Sequence, residues 1–404
     1  MKTAISEERV HILDSQSNVW SVISEIALSD NQEDAFYVCD VGDIVRKHKT
    51  WKAKLPRVEP YYAVKCNHSL AVLEVLSTLG TGFDCASKGE IEKVLSLDVR
   101  PDRIIFALPT KPASHIRHAA SVGVSRMTFD NETELHKLKK LYPNAEMVIR
   151  IRSDATDAQF ILGRKFGCDP ETEAPELLRL AKSLGINVIG VSFHVGSGCR
   201  EPEAFQRAIS SSRYIFDYAT SLGYNFHVLD IGGGYPGEHG TSIDKIADVI
   251  NSSLDKYFPD PSVEIIAEPG TFYVCSAYTL ACNIHSIRNV TETDAETGNT
   301  KTRKMYYIND GVFGSFNCII SCDNHVVVPI PLKDYTGSKY HPSSIWGPTC
   351  DCVDQVVENI LLPEMMVGDW LVFKDMGAYT LSIASSFNSF PIPKVHIVAD
   401  KNVW

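Results

Sequence analysis

The chain has 404 residues, of which 44% are hydrophobic and 22% charged, a globular composition at a length that favours two domains. Lysine and arginine number 39 against 50 acidic residues, and this net charge of -11 argues against a nucleic-acid partner. The N-terminal M-K-T-A-I-S-E-E-R-V carries acids where a signal peptide needs an apolar core, and no later segment is apolar over a membrane-spanning length. We therefore expect a cytoplasmic protein that binds neither nucleic acid nor membrane.

The cysteines predict neither a disulfide framework nor a metal site. Their number, 11, is odd, and none of them forms a C-x-x-C pair. We expect most of them to behave as small buried hydrophobic residues, with Cys350 as the exception.

Eight short β-rich runs alternate with helical stretches in the first two thirds of the chain, as in a parallel sheet of βα units. Eight such units are the number that closes a TIM barrel. Two amphipathic stretches, 71–79 and 174–184, illustrate the intervening helices. The predicted strands are 60–65, 82–87, 103–108, 126–130, 147–151, 188–194, 227–233 and 264–270.

The hydrophobic pattern of the sequence changes after about residue 275, because the periodicity typical of amphipathic helices is no longer present. Runs at 304–310, 325–331 and 370–375 predict antiparallel strands, with Gly, Pro and Ser in the turns between them. The polar segment 291–304 is typical of an exposed hairpin tip.

Three regions are therefore expected. Residues 1–36 form an N-terminal segment that packs with the C-terminal domain, residues 37–275 form the barrel, and residues 276–404 form a β domain.

Polar residues recur where the predicted barrel strands end, which is where TIM barrels carry their chemistry. Each alone has an ordinary structural explanation: a lysine that reaches outward, a helix cap, an interior ion pair or a core histidine. Their convergence on one rim is harder to explain in this way. The positions are Lys65, Asp84, Arg150, His194, the glycines of 232–234, and Glu268.

This combination suits pyridoxal phosphate, because a lysine amine forms a Schiff base with an aldehyde cofactor. Glu268 is a candidate partner for the pyridine nitrogen, since a carboxylate there favours the protonated ring. The glycines of D-I-G-G-G-Y-P-G (230–237) would let backbone N–H groups approach the phosphate. His194 would stack on the ring, and Ser197 would donate to the phosphate.

Several long motifs resemble those of the eukaryotic ornithine decarboxylases, in order and over nearly the whole chain. This resemblance implies a pyridoxal-phosphate barrel of the alanine-racemase type, followed by a C-terminal antiparallel β-barrel domain. It also implies a head-to-tail homodimer with active sites shared between subunits. The motifs are Y-A-V-K-C-N, G-F-D-C-A-S, S-F-H-V-G-S-G, D-I-G-G-G, A-E-P-G, N-D-G-V-F-G-S-F-N-C, W-G-P-T-C-D and M-G-A-Y-T.

The resemblance also implies roles for individual residues. It makes Lys65 the Schiff-base lysine, Glu268 the partner of the pyridine nitrogen and His194 the stacking residue. Asp84 and Arg150 match residues near the lysine and cofactor. The implied phosphate ligands are Ser197, Gly233, Gly234 and Tyr379.

The C-terminal region supplies the remaining matches. Cys350, from the other subunit, matches the residue that helps to protonate the decarboxylated carbon. Asp351 of that other subunit and Asp323 of the first subunit match carboxylates that bind the distal amine of the substrate, and Phe387 matches an aromatic wall of the pocket.

Three positions depart from the family pattern. Thr271 follows A-E-P-G where an arginine that binds the cofactor phosphate is common, and A-L-P-T-K (107–111) replaces A-N-P-C-K, so that Leu108 stands where an asparagine is common. In C-D-N, Cys322 and Asn324 replace a tyrosine and a histidine. These changes concern cofactor affinity and substrate identity.

Two classes of function follow. The first is a pyridoxal-phosphate decarboxylase of a basic amino acid, L-ornithine to putrescine, with lysine as an alternative substrate. The second is a weakly active or inactive regulatory protein like the antizyme inhibitors, which act by sequestering an antizyme-type regulator. The chain ends soon after S-F-N-S-F, and we expect no C-terminal degradation signal.

Overall fold

The computed structural model describes residues 10–13, 17–30, 32–153, 155–160, 162–293, 300–321 and 326–401. The chain forms two compact units, one of residues 44–273 and one that combines residues 1–43 with 274–404. The first is called the barrel unit and the second the β unit. This division begins the barrel unit at Ile44, whereas the sequence-based boundary lies at residue 37.

The N-terminal part of the β unit contributes two strands and a helix. Strand β1 (Val10–Leu13) is followed by helix α1 (Val19–Ala27), whose first turn is capped by the side chain of Asn18, and by the buried strand β2 (Phe36–Asp40). Helix α2 (Val41–Lys54) then leads into the barrel unit.

The barrel unit is a closed barrel of eight parallel strands, one from each of the predicted β-rich runs. The observed strands end a few residues earlier than predicted. In chain order they are β3 (Val58–Ala63), β4 (Gly82–Cys85), β5 (Ile104–Phe106), β6 (Arg126–Phe129), β7 (Glu146–Arg150), β9 (Asn187–Ser192), β11 (Val228–Asp230) and β12 (Glu264–Ala267).

Helices connect these strands, and a short antiparallel pair, β8 (Ala158–Phe160) with β10 (Ser197–Cys199), lies outside the barrel sheet. The predicted helices at 71–79 and 174–184 are confirmed as α3 and α7. The helices are α3 (Leu70–Thr78), α4 (Lys88–Leu95), α5 (Ala113–Val122), α6 (Glu132–Leu141), α7 (Glu173–Ser183), α8 (Glu203–Ser221), α9 (Asp244–Tyr257) and α10 (Thr271–Val274).

The barrel interior is filled by side chains and does not form a channel. A buried apolar cluster, drawn from six strands, occupies it: Tyr61, Ile105, Val148, Ile189, Val228 and Ile266. At the amino ends of β6 and β12, the guanidinium of Arg126 donates to both oxygens of Glu264 at 3.0 and 2.9 Å. This bidentate pair ties two strands at the end of the barrel opposite the predicted site.

The rest of the β unit follows the barrel in sequence. Its elements are β13 (Tyr278–Thr293), β14 (Thr300–Ile308), α11 (Asn317–Ser321), β15 (Ile330–Pro331), β16 (Tyr340–Trp346), β17 (Gln355–Pro363), β18 (Trp370–Phe373) and β19 (Lys394–Asp400). The strands β13 to β19 join β1 and β2 in a nine-stranded sheet.

Most pairings in this sheet are antiparallel, as predicted, but β1 with β19, β19 with β2, and β14 with β16 are parallel. The hairpin predicted near 291–304 is confirmed by the β13–β14 ladder, which closes at Thr293 and Thr300; residues 294–299 lie outside the described part.

The strand predicted at 325–331 is wrong for most of its length, because only β15 is extended and paired. Val326 and Val328 are 78% and 64% exposed and so find no core to cover. Pro329 and Pro331 also lack the N–H donors that a strand ladder needs.

Within the described residues, no helix combines the length and apolar character needed to cross a bilayer. Ten described cysteines are free thiols, and all except Cys350 and Cys352 are buried. The expectation that most cysteines are small core residues, with Cys350 as an exception, is confirmed.

Candidate active site

Lys65 follows strand β3 in a single 3-10 turn, Val64–Cys66, so that its side chain begins at the carboxyl end of the barrel. Its ammonium contacts the carboxylate of Asp84, which lies on β4 and has no exposed surface, whereas 40% of the lysine side chain is exposed. The other oxygen of Asp84, Oδ1, is buried without a hydrogen-bond partner. The lysine is therefore held by a buried acid, and its side chain remains accessible.

Two further carboxyl groups lie at the ends of neighbouring strands β11 and β12. Asp230 accepts from Gly232 N at 2.9 Å and from Ser192 Oγ at 3.0 Å. Burial raises the pKa of Asp230 to about 6, and burial together with Asp230 and Asp84 raises the pKa of Glu268 well above its ordinary value. Glu268 Oε1 is buried without a hydrogen-bond partner. Burial and the neighbouring acids therefore favour the protonated form of Glu268.

His194 follows strand β9 and presents a neutral ring. Its Nδ1 accepts from the backbone N–H of Gly196 at 3.0 Å, which leaves the ring proton on Nε2. Burial, and then the charges of Arg150 and Lys65, lower the pKa of His194 well below its ordinary value. A neutral imidazole among cations suits stacking against a flat ring better than proton transfer near neutral pH.

The glycines after β11 are required by close backbone packing. Gly232 and Gly234 have φ values of +62° and +113°, a region that side chains rarely adopt. A Cβ on Gly233 would lie 2.8 Å from His194 Nε2 and 2.9 Å from the carbonyl oxygen of Glu268. The glycine run therefore brings bare backbone against the two predicted ring-binding residues.

The remaining predicted residues of the barrel unit lie around these groups. Arg150 ends strand β7, is buried, and places its guanidinium 5.3 Å from the centre of the Phe166 ring. Ser197 is the first residue of strand β10. Arg150 and Lys65 both act electrostatically on His194 and Glu268, so these four side chains share one site.

The other predicted residues belong to the β unit. Cys350 and Phe387 are exposed, Asp351 is partly exposed, and Tyr379 has the unusual φ of +52°. Asp323, together with the neighbouring departures Cys322 and Asn324, lies outside the described residues.

Two residues of the site were not assigned by sequence reasoning. Asp230 helps to raise the pKa of Glu268, and it stands at a strand end within the D-I-G-G-G motif, so it met the rule that selected its neighbours. Asn388 accepts a hydrogen bond from the backbone N–H of Cys350 at 3.1 Å, and no local pattern in S-F-N-S-F indicates this contact.

A model of the pyridoxal-dependent decarboxylase family, in its pyridoxal binding domain, matches residues 41–275. The chain is 49% identical to ornithine decarboxylase of Rattus norvegicus, with 98% of this chain and 87% of that protein covered. It is 48% identical to antizyme inhibitor 2 of Xenopus laevis, with 95% and 85% covered.

A solved structure, the arginine decarboxylase of Paramecium bursaria Chlorella virus, superposes with a TM-score of 0.88 at 39% identity, covering 94% of this chain and all of that one. The closed parallel barrel and the separate β unit define the class, the pyridoxal-phosphate decarboxylases of alanine-racemase architecture. Within that class, the chain belongs to the pyridoxal-dependent decarboxylase family.

The residues present fit this cofactor. Lys65 is accessible, and three groups surround it. They are the buried acid Glu268 with an oxygen that has no hydrogen-bond partner, the neutral imidazole of His194, and the glycine run 232–234, which has no room for side chains. These are the elements needed to receive a protonated pyridine nitrogen, a ring face, a phosphate and an aldehyde.

Proposed function

We propose that the chain catalyses the decarboxylation of L-ornithine to putrescine. The main observation is the joint placement of Lys65, Asp84, His194 and Glu268 at the carboxyl end of one closed barrel. The 49% identity to rat ornithine decarboxylase over 98% of the chain supports ornithine as the substrate.

Lys65 would hold pyridoxal phosphate covalently, and Glu268 would bind its pyridine nitrogen. Ser197, Gly233, Gly234 and Tyr379 would hold its phosphate. When bound, the cofactor accepts into its ring the electron pair that carbon dioxide leaves behind.

The acid–base chemistry would begin at Lys65, whose ammonium must lose a proton before its nitrogen can attack a carbonyl. Asp84, which is buried, contacts that ammonium and would accept the proton. Glu268, as a carboxylate, would accept a hydrogen bond from the pyridine nitrogen, keep that nitrogen protonated and so maintain the ring as an electron acceptor. His194, which is neutral, would cover the ring face, and Arg150 would balance the three buried carboxyl groups.

The β unit of a second copy would complete the site. Cys350 of that copy would deliver the proton to the carbon that has lost carbon dioxide, and its Asp351 would bind the distal ammonium of ornithine. Asp323 of the first copy would be the second carboxylate at this ammonium, and Phe387 would form an apolar wall. This arrangement makes the functional protein a homodimer. A pair of carboxylates selects a diamino acid over one with a neutral side chain.

The test measures carbon dioxide and diamine release from equimolar ornithine, lysine and arginine in competition. We expect putrescine as the main product and loss of turnover in Lys65→Ala, with fold and oligomeric state unchanged. The matched control is Lys88→Ala, which removes an exposed lysine paired with Glu92 and should keep full activity. If cadaverine or agmatine is the main product, the substrate is lysine or arginine and not ornithine. If Lys65→Ala keeps full activity, Lys65 has no part in the mechanism.

A second candidate function is that of an antizyme inhibitor, a non-catalytic partner of an antizyme-type regulator. It is supported by the 48% identity to Xenopus antizyme inhibitor 2 and by Thr271 in place of the usual arginine. Absence of cofactor absorbance in the purified protein at saturating pyridoxal phosphate, with tight binding to an antizyme, would favour this function over catalysis.

We propose the cytoplasm as the compartment, because the ten described cysteines are all free thiols and free thiols persist in a reducing environment.

A further inference from the structure

Three segments of the β unit meet around the residues that the proposed function assigns to catalysis. They are the turn 310–316 after strand β14, the loop 347–354 between β16 and β17, and the segment 385–389 before β19. We call this the loop junction. The second segment carries Cys350 and Asp351, and the third carries Phe387.

Asp354 is the buried centre of the loop junction, with 1% of its surface exposed. Its Oδ1 accepts from Val312 N at 2.8 Å in the first segment. Its Oδ2 accepts from Thr349 N at 2.9 Å and from Thr349 Oγ1 at 2.7 Å. One carboxylate therefore ties the residue next to Cys350 to a different loop.

Glycines on both sides make room for this carboxylate. A Cβ on Gly311 would lie 2.1 Å from Asp354 Oδ1, and a Cβ on Gly347 would lie 2.2 Å from the same atom. Both distances are too short for any side chain, so the two glycines of N-D-G and W-G-P are explained by the acid between them.

Asn388 holds the other side of Cys350. The backbone N–H of Cys350 donates to Asn388 Oδ1 at 3.1 Å. Asn388 has a φ of +53°, a left-handed conformation that asparagine adopts more readily than most residues.

The third segment is itself fixed to the first. The carbonyl oxygen of Phe313 accepts from Ser385 N and from Ser385 Oγ, both at 2.9 Å. The rings of Phe313 and Phe387 lie 4.6 Å apart, centre to centre. Asn388 is therefore anchored close to the point where it receives the Cys350 N–H.

We infer that Asn388 and Asp354 are positioning residues that set where the Cys350 thiol points. Each binds the backbone at or next to Cys350 and neither is assigned to the substrate or cofactor. The inference rests on the proposed role of Cys350 as the proton donor to the decarboxylated carbon. Since proton transfer requires near contact, a loosened loop would let the proton reach the cofactor instead of the decarboxylated carbon. Water would then hydrolyse the remaining carbon–nitrogen double bond, which would release 4-aminobutanal and leave the nitrogen on the cofactor.

The experiment compares Asn388→Gly, which keeps the left-handed backbone but removes the acceptor, with Ser389→Gly. Ser389 has a similar φ of +62°, so this control has the same added flexibility without loss of the Cys350 bond. For Asn388→Gly we expect kcat to fall roughly three- to tenfold, as for one lost hydrogen bond, with KM little changed. We also expect the share of 4-aminobutanal to rise, while Ser389→Gly behaves as wild type.

A second readout does not depend on turnover. In cofactor-free protein, iodoacetamide labelling of Cys350 is followed by mass spectrometry, with exposed Cys352 as the internal standard. The ratio of the two rates should change at least threefold in Asn388→Gly. Thr349→Val removes only the hydroxyl hydrogen bond to Asp354 and should change the labelling ratio in the same direction to a smaller extent. This variant replaces Asn388→Gly in the test if Asn388→Gly does not fold.

A wild-type labelling ratio and wild-type product share in Asn388→Gly would overturn the inference. Failure of the proposed function looks different: Cys350→Ala would then retain clean, full-rate turnover, whereas a changed labelling ratio in Asn388→Gly would still support the positioning role.

Discussion

Thr271 occupies a position next to the cradle where a neutral hydroxyl replaces the expected guanidinium. Its carbonyl oxygen would lie only 2.1 Å from a Cβ on Gly237, so the two loops after β11 and β12 touch at backbone level. The ammonium of Lys47, on helix α2, donates to the carbonyl oxygen of Gly237 at 2.9 Å and lies 5.1 Å from the centre of the Phe272 ring. A cation is thus held beside Thr271, with its charge directed at a carbonyl.

We predict that Thr271→Arg tightens binding of pyridoxal phosphate roughly ten- to hundredfold, because hydrogen bonds to charged groups contribute about 1.5 to 3 kcal/mol. The measurement is a titration of cofactor-free protein followed by cofactor absorbance. Thr241→Arg, on an exposed loop, controls for the added charge. If wild type and Thr271→Arg bind pyridoxal phosphate with equal affinity, and Lys47→Ala binds it much more weakly, Lys47 would be the residue that binds the phosphate.

At the scale of the elements, the rule that barrel chemistry lies at strand ends was sufficient to select Lys65, Asp84, His194 and Glu268, which lie at the carboxyl end of the barrel; Asp230 met the same rule but was not assigned. Each of them follows a run whose apolar pattern is local and therefore readable. The exact ends were less predictable, since Lys65 lies in a turn and not in the strand. The strand predicted at 325–331 was wrong for most of its length because Val326 and Val328 have no core to cover, a fact that depends on distant segments.

The contacts of the loop junction show the limit of sequence reasoning more clearly. Asn388 and Cys350 are 38 residues apart, and Asp354 and Val312 are 42 apart. Nothing in either neighbourhood specifies the pairing, because it follows from how β14, β16 and β17 are arranged. Only Gly311 and Gly347 indicated in the sequence that another group approaches the backbone closely, and a single glycine is most often interpreted as a turn residue.

Asp310, in the turn after β14, gives an element-scale prediction about pH. Its Oδ1 accepts from Gly311 N at 2.8 Å and from Ser315 N at 3.1 Å, and its Oδ2 is buried without a hydrogen-bond partner. Burial raises the pKa of Asp310 to about 6 from 3.8. A carboxyl whose pKa is higher in the folded state contributes stability below pH 4 that is lost as the pH rises to about 6.

We therefore predict that Asp310→Asn gains stability relative to wild type between about pH 4 and pH 6, by on the order of 2 to 3 kcal/mol, and keeps that gain at higher pH. The amide oxygen of asparagine can still accept both N–H groups. Urea unfolding at a series of pH values measures the difference, with the exposed Asp248→Asn as the control. A pH-independent difference would show that Asp310 ionises normally in the fold.

At the scale of the whole molecule, the predicted residues divide between the two units. Lys65, Asp84, His194 and Glu268 belong to the barrel unit, and Cys350, Asp351, Tyr379 and Phe387 belong to the β unit. The proposed homodimer would draw each active site from the barrel unit of one copy and the loop junction of the other. A site of this kind makes a prediction about mixed dimers that a site within one copy does not.

Lys65→Ala and Cys350→Ala proteins should each be strongly impaired, and mixing them under subunit exchange should restore up to about a quarter of wild-type activity. Random pairing makes half of the dimers mixed. In each mixed dimer one site combines the intact Lys65 of one copy with the intact Cys350 of the other, and the second site carries both lesions. Exchange is verified with differently tagged copies. If exchange occurs and activity does not recover, both residues act within the same copy, and the shared site must be abandoned.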